Sequence, residues 1–130
     1  MFDWRALATI AVGGGLGSVL RYVAGFAITQ RLGPGFPWGT LFINITGSLV
    51  IGFVAELSQT RALGISPLLR LFLMVGVLGG YTTFSTYALD MVTLVGDRAV
   101  SLALVYGLGS VACGFLAAFA GVALGRVLQP

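Results

Sequence analysis

One apolar segment, Leu68 to Val95, is long enough to cross a bilayer but is interrupted near its middle by Gly79-Gly80-Tyr81-Thr82-Thr83-Phe84-Ser85-Thr86-Tyr87. Glycine gives up more backbone entropy in a helix than any other residue. The threonines and the serine can bond their own backbone in place of the helical ladder. Hydrocarbon offers no partner for the polar groups so released. Non-helical backbone at bilayer depth survives only where protein buries it or where it lines a wet path. The break is therefore where function is expected.

Composition supports the membrane reading. The chain is 58% hydrophobic and 8% charged, with mean hydropathy +1.02, whereas soluble domains carry about 25% charged residues. Its 20 glycines suit helices whose backbones must approach closely in lipid. The single cysteine, Cys113, lies in an apolar run and excludes a disulfide framework or a cysteine metal cluster. All seven positive charges are arginine, and their scatter toward segment ends argues against nucleic acid as a partner. Met1 to Arg5 followed by an apolar run has the look of a signal peptide. The run continues to about Ile28, so it reads as a retained first span.

A transmembrane helix needs about 20 largely apolar residues. Four segments qualify, at 6–28, 38–57, 68–95 and 99–127, and the whole chain, 1–130, reads as a single transmembrane domain. Gly33-Pro34-Gly35-Phe36-Pro37 is a helix stop and restart, Ser58 to Pro67 forms the second link, and Gly96-Asp97-Arg98 the third. Trp4, Trp38 and Tyr22 are candidate interface anchors. The third segment, at 28 residues, exceeds a straight crossing, and a break absorbs the surplus. An even number of spans puts Arg5, Arg61, Arg70 and Arg126 on one side and Arg31 and Arg98 on the other. That bias is weak enough for insertion in both orientations and for antiparallel association of two copies. Four helices leave little room for a pathway inside one subunit, so an oligomer is expected.

Polar residues inside the spans are the functional candidates. Thr40, Asn44, Ser48, Gly52 and Glu56 recur every four residues in the second span. Tyr106, Ser110 and Gly114 do so in the fourth, and Gly13, Gly17, Arg21 and Gly25 in the first. Such spacing keeps neighbours on one stripe, and the stripes can face one another around the broken span to make a narrow polar track. Each residue also has a plainer reading. Asn44 can join helices through its amide, and Arg21 can snorkel to the interface. Ser110 can bond back to the carbonyl four residues earlier, Phe84 and Tyr87 can simply pack, and Glu56 near a span end reads as solvated. Asn44-Ile45-Thr46 matches the glycosylation pattern, but its depth in an apolar span rules that reading out.

Enzyme chemistry finds no support. The chain has no histidine, Ser85 has no neighbouring base, and Asp90 and Asp97 do not form an evident dyad. Gly13-Gly14-Gly15-Leu16-Gly17 lacks the lysine of a phosphate loop.

The chain resembles the Fluc (CrcB) fluoride channels of microbes. The resemblance is carried by Gly17-x-x-x-Arg21-Tyr22, by Trp38-Gly39-Thr40-Leu41-x-x-Asn44-x-x-Gly47, by Gly79-Gly80-x-Thr82-Thr83-Phe84-Ser85-Thr86 and by Tyr106-x-x-x-Ser110. It implies an all-α membrane protein of four transmembrane helices, the third broken near mid-membrane. It also implies a dual-topology, antiparallel homodimer in the inner or plasma membrane, with two fluoride pores near the subunit interface. By the same resemblance, a structural sodium ion at the dimer centre would be held by the backbone carbonyls of Gly79 and Thr82. The pore would be lined by Asn44, Phe84, Tyr87, Ser85, Thr86, Tyr106 and Ser110, with Arg21 as a vestibule or structural charge. Three positions depart from the family pattern: Tyr87 stands where a phenylalanine is usual, Gly114 where a hydroxyl is frequent, and Asp90 where glutamate is frequent.

These residues suit a small, strongly hydrated anion. A pore must replace its water with donors and still release it. Amide and hydroxyl donors at Asn44, Ser110, Ser85, Thr86, Tyr106 and Tyr87, and the positive ring edge of Phe84, do this without a full charge. Passive export of cytoplasmic fluoride would then relieve its toxicity. The rival reading is a small four-helix, dual-topology multidrug or cation antiporter. That chemistry needs a titratable carboxylate deep in the membrane, and the first span has none. A second rival, a non-transporting assembly subunit, gives no reason for a hydroxyl-rich break.

Overall fold

The computed structural model describes residues 3–59 and 64–128. Arg61, one of the charges weighed for orientation, lies outside the described residues. Four helical spans are long and apolar enough to cross a bilayer: Trp4–Leu32, Trp38–Leu57, Pro67–Gly96 and Val100–Val127. We label the first two α1 and α2. The third is two helices, α3 over 67–81 and α4 over Phe84–Gly96, and the last span is α5. The chain belongs among multi-pass, all-helical membrane proteins.

Local chemistry sets the ends. Asp3 caps α1 by accepting the Arg5 N–H at 3.0 Å. At the other end Gly33, with φ 85°, returns its N–H to the Thr29 carbonyl. α1 therefore outruns the expected 6–28 at both ends. The polar residues Thr29, Gln30 and Arg31 end the apolar stretch but not the helix. Ser66 caps α3 by accepting the Leu69 N–H at 3.2 Å, with Pro67 at the first helical position.

α3 holds an unanticipated feature. Residues Leu71–Leu78 form a π-helix, wider than an α-helix by most of a residue per turn. Nothing in the apolar run Leu-Phe-Leu-Met-Val-Gly-Val-Leu announces it, because a continuously apolar stretch has no polar face from which to read the period.

The spans pack as two parallel pairs. α1 lies along α3: the Gly76 Cα stands 3.0 Å from where a Gly13 side chain would begin, and the Val77 carbonyl occupies the corresponding place at Gly17. Gly80 is likewise pressed against the Gly14 backbone. α2 lies along α5 in the same manner, with Gly52 against Ala118 and Gly121 against Leu49. Register runs in the same direction in both pairs, Gly13 to Gly76 then Gly17 to Tyr81, and Gly52 to Ala118 then Glu56 to Gly125. α1 and α2 cross where Gly39 meets Gly25: a side chain on Gly39 would begin 3.0 Å from the Gly25 carbonyl oxygen.

Burial follows the logic of lipid. Glycines fill the contacts, while Leu108, Phe115 and Phe119 are mostly exposed. A small apolar cluster, Leu94, Ala103 and Tyr106, closes the space between α4 and α5. At the opposite end Arg126 Nε meets Glu56 Oε1 at 3.2 Å, with only 13% of the Glu56 side chain exposed. The solvated reading of Glu56 is thus corrected: α2 and α5 run parallel, so their last turns bring the two charges together.

These contacts predict an asymmetry among glycines. Gly17→Val and Gly121→Val force backbone apart and should each destabilise the fold by about 1–3 kcal/mol or more. Gly15→Val meets nothing within 4 Å and should leave stability unchanged. Thermal loss of the monodisperse peak on gel filtration in detergent measures all three.

Candidate functional site

The break is organised around the backbone of one residue, Thr83. The Thr82 N–H closes the last rung of α3 on the Leu78 carbonyl at 2.9 Å, and the Thr82 hydroxyl donates to the same oxygen. Thr82 and Thr83 are then extended, with ψ 156° and 116°. The Thr83 N–H, which would have continued the ladder to Gly79, donates instead to Asn44 Oδ1 at 2.8 Å. The Thr83 carbonyl accepts from Asn44 Nδ2 at 3.0 Å. Because a backbone N–H can only donate, this pair fixes which end of the amide is oxygen. Thr83 also caps α4, its hydroxyl oxygen accepting the Thr86 N–H at 3.2 Å.

A second tie supports the first. The Thr46 hydroxyl donates to the Phe42 carbonyl at 2.8 Å, leaving its oxygen to accept the Tyr81 phenol at 3.0 Å. The bare Gly47 between them admits the Thr82 methyl and the Tyr81 ring. Both tyrosine and asparagine thus anchor the interrupted span to α2.

Two open cavities meet at Thr83. A groove of about 500 Å³ is lined by Asn44, Ser48, Thr82, Phe84, Tyr87 and Ser110, among others. A vestibule of about 930 Å³ includes Arg21, Thr40, Thr86, Asp90 and Asp97 in its lining. Thr83 borders both. Arg21 is half-buried and has no ion-pair partner among the described residues.

The candidate residues separate into distinct roles. Ser110 is 9% exposed, and its Oγ has no hydrogen-bond partner among the described residues. It does not bond back along its own helix, so the plainer reading of this serine is corrected. Asn44 uses its oxygen and one N–H on Thr83, which leaves one amide N–H rather than two to offer. It is both helix tie and groove wall. Phe84 is 79% exposed, with its ring 5.5 Å from that of Tyr87. The Tyr87 hydroxyl donates to the Gly107 carbonyl at 3.1 Å, so this residue offers the groove only its ring. The partner needed by the added hydroxyl is therefore a carbonyl on α5.

Tyr106 stands apart. It is 1% exposed, outside the groove lining, and donates its hydroxyl to Asp90 Oδ2 at 2.9 Å. Its donor is engaged by a carboxylate. Ser85 lines neither cavity, and its Oγ lies 3.4 Å from the Thr83 hydroxyl oxygen. Thr86 accepts a hydrogen bond from the Thr83 hydroxyl at 3.0 Å and faces the vestibule.

Sequence reasoning passed over Thr83, the residue on which both cavities and both halves of the span converge. The spacing Thr83 to Thr86 is the available signal, since a hydroxyl three residues ahead of a free N–H is how helices restart.

No group of three or more His, Cys, Asp or Glu among the described residues could hold a metal. The ligands on offer at the break are carbonyl oxygens. Diversion of the Thr83 N–H removes the partner that an unbroken helix would give the Gly79 carbonyl. Oxygen donors of this kind suit hard cations. Around the groove the chemistry is different: a neutral amide N–H, a neutral hydroxyl and aromatic edges, which are donors to an anion.

Comparison with known proteins gives the family. The profile of the family described as "CrcB-like protein, Camphor Resistance (CrcB)" matches residues 8–122. The fluoride-specific ion channel FluC of Rhizobium meliloti (strain 1021) is 51% identical over 119 residues, 92% of this chain and 94% of that protein. The protein of the same name from Agrobacterium fabrum (strain C58) is 49% identical over 122 residues, 94% of this chain and 97% of the relative. One from Thermus thermophilus is 49% identical over 119 residues, 92% of each. These relatives are ion channels rather than enzymes. With the match running through all four spans, this chain belongs to the CrcB family.

Proposed function

We propose that this chain forms a passive, fluoride-selective channel through which cytoplasmic fluoride leaves the cell. It would act as a homodimer of two inverted copies with a structural sodium ion at its centre. One observation carries the reading. Ser110, whose buried hydroxyl has no partner among the described residues, lines the same groove as Asn44 and Phe84.

An unpaired buried hydroxyl costs about 1–3 kcal/mol, so a fold that keeps one gains by offering it to something that passes. Fluoride accepts strong hydrogen bonds and is small enough for a groove walled by closely packed helices. Larger halides would be excluded by width. Asn44 is held in place by Thr83, so its free N–H needs no reorganisation when the ion arrives. Arg21 in the vestibule would raise the local anion concentration without trapping the ion in the groove. The membrane potential supplies about 2.3 kcal/mol per charge per 100 mV, and no other energy source is required.

The carbonyls of Gly79 and Thr82, one set from each copy, would hold the sodium ion. The bound cation would tie the two breaks together and add positive field beside the anion path. Gly79 is exposed on the subunit surface, where a second copy can reach it. An antiporter would instead need an uncommitted carboxylate at mid-depth. Glu56 pairs with Arg126 at the helix ends, and Asp90 accepts the Tyr106 phenol.

Purified protein in liposomes should release fluoride without a proton gradient and should not release chloride; a fluoride electrode reads the first and a chloride electrode the second. Transport that requires a proton gradient would overturn the channel reading. Asn44→Asp sets an anion in the path. Repulsion of about 4 kcal/mol at an intermediate dielectric corresponds to a roughly thousandfold loss of flux. Ser110→Ala removes a hydrogen bond to a charged species and should lower flux about tenfold. Dialysis into sodium-free buffer should weaken assembly and flux together, and sodium should restore both; indifference to every monovalent cation would remove the ion from the proposal.

A further inference from the structure

Four aromatic rings run in unbroken order from the vestibule to the groove. Phe36, in the connection between α1 and α2, meets Tyr106 edge-on, with centroids 5.5 Å apart and planes at 87°. Tyr106 meets Tyr87 at 5.3 Å, and Tyr87 meets Phe84 at 5.5 Å. Phe36 lines the vestibule and Phe84 and Tyr87 line the groove, while Tyr106 is sealed between them. Offset and edge-on contacts of this kind prefer particular tilts, because the positive edge of one ring seeks the negative face of the next.

Phe36 is aimed by a stiff turn. Pro37 has φ −75° and ψ 56°, the geometry of an inverse γ-turn, and the Phe36 carbonyl accepts the Trp38 N–H at 2.7 Å. The Phe36 ring also leans on Trp38, with centroids 4.6 Å apart. The Tyr106 hydroxyl is fixed by Asp90 and the Tyr87 hydroxyl by Gly107. The ring of Tyr106 is thus pinned at its oxygen and flanked by Phe36 and Tyr87. Removing Phe36 takes away one flank and lets the ring tilt about its hydroxyl anchor.

We propose that Phe36 is a positioning residue for conduction. From a loop outside the groove it sets the tilt of Tyr106 and, through Tyr87, the presentation of the Phe84 edge to the passing ion. This rests on the channel reading above.

The test uses the full chain in liposomes. Phe36→Leu keeps apolar bulk but removes the ring edge, and should lower fluoride efflux per reconstituted channel by about fivefold. Phe36→Tyr retains the ring and should stay within about twofold. Tyr87→Leu cuts the same row, so the double variant should be no slower than the slower single variant. A second readout does not depend on fluoride. With Cys113→Ser removing the native thiol, Ser48→Cys places one in the half-exposed part of the groove wall. Its labelling rate by a water-soluble maleimide should change on adding Phe36→Leu and not on adding Phe36→Tyr. Unchanged labelling with Phe36→Leu overturns the proposal whatever the efflux, and so does multiplication of the two losses in the double variant. A wild-type chain that passes no fluoride defeats the channel reading, while the labelling comparison still decides the role of Phe36.

Discussion

The structure depends on a pair of hydrogen bonds between the Asn44 side chain and the backbone N–H and C=O of Thr83. A helix cannot stop inside lipid without leaving donors and acceptors bare, at several kcal/mol each. One amide presents an acceptor and a donor at the spacing of one extended residue's N–H and C=O. It therefore replaces, from the side, two of the bonds the interrupted span has given up. The Thr83 hydroxyl restarts the helix beyond. The same contact joins α2 to the broken span, and so helps to couple the two parallel pairs, beside the Gly25–Gly39 crossing and the Thr46–Tyr81 bond.

Those pairs are held by backbone meeting backbone. Between apolar helices in apolar solvent, burial of leucine or phenylalanine gives little driving force, and close van der Waals packing takes over. Glycine at 13, 17, 76 and 80 on one side of the molecule and at 52 and 121 on the other supplies that closeness. The large side chains turn outward.

Much of this was legible in the residues. The interrupted apolar run marks the break because glycines and hydroxyls are out of place there, and the four-residue rows put Asn44, Ser48 and Ser110 on facing walls. Other features were hidden for physical reasons. Which donors are free is a property of three-dimensional pairing. Tyr106 and Ser110 sit on one row of α5, yet the phenol is engaged by Asp90 and the serine hydroxyl has no partner among the described residues. The Glu56–Arg126 pair links positions 70 apart in sequence and follows only from the parallel course of α2 and α5. The aromatic row likewise joins residues from a loop and two helices.

The π-helical stretch at Leu71–Leu78 has a consequence for how this span tolerates change in length. A wide-bore turn stores slack: it carries more chain per unit of axial advance than the α-helix into which it can tighten. Loss of one amino acid there can be absorbed by contraction of the coil, leaving Thr83 opposite its amide. The stretch beyond Phe84 has no such reserve, and the same loss would swing every later side chain by about 100° around the axis. The two halves of one crossing are thus unequal before indels, the first forgiving and the second strict.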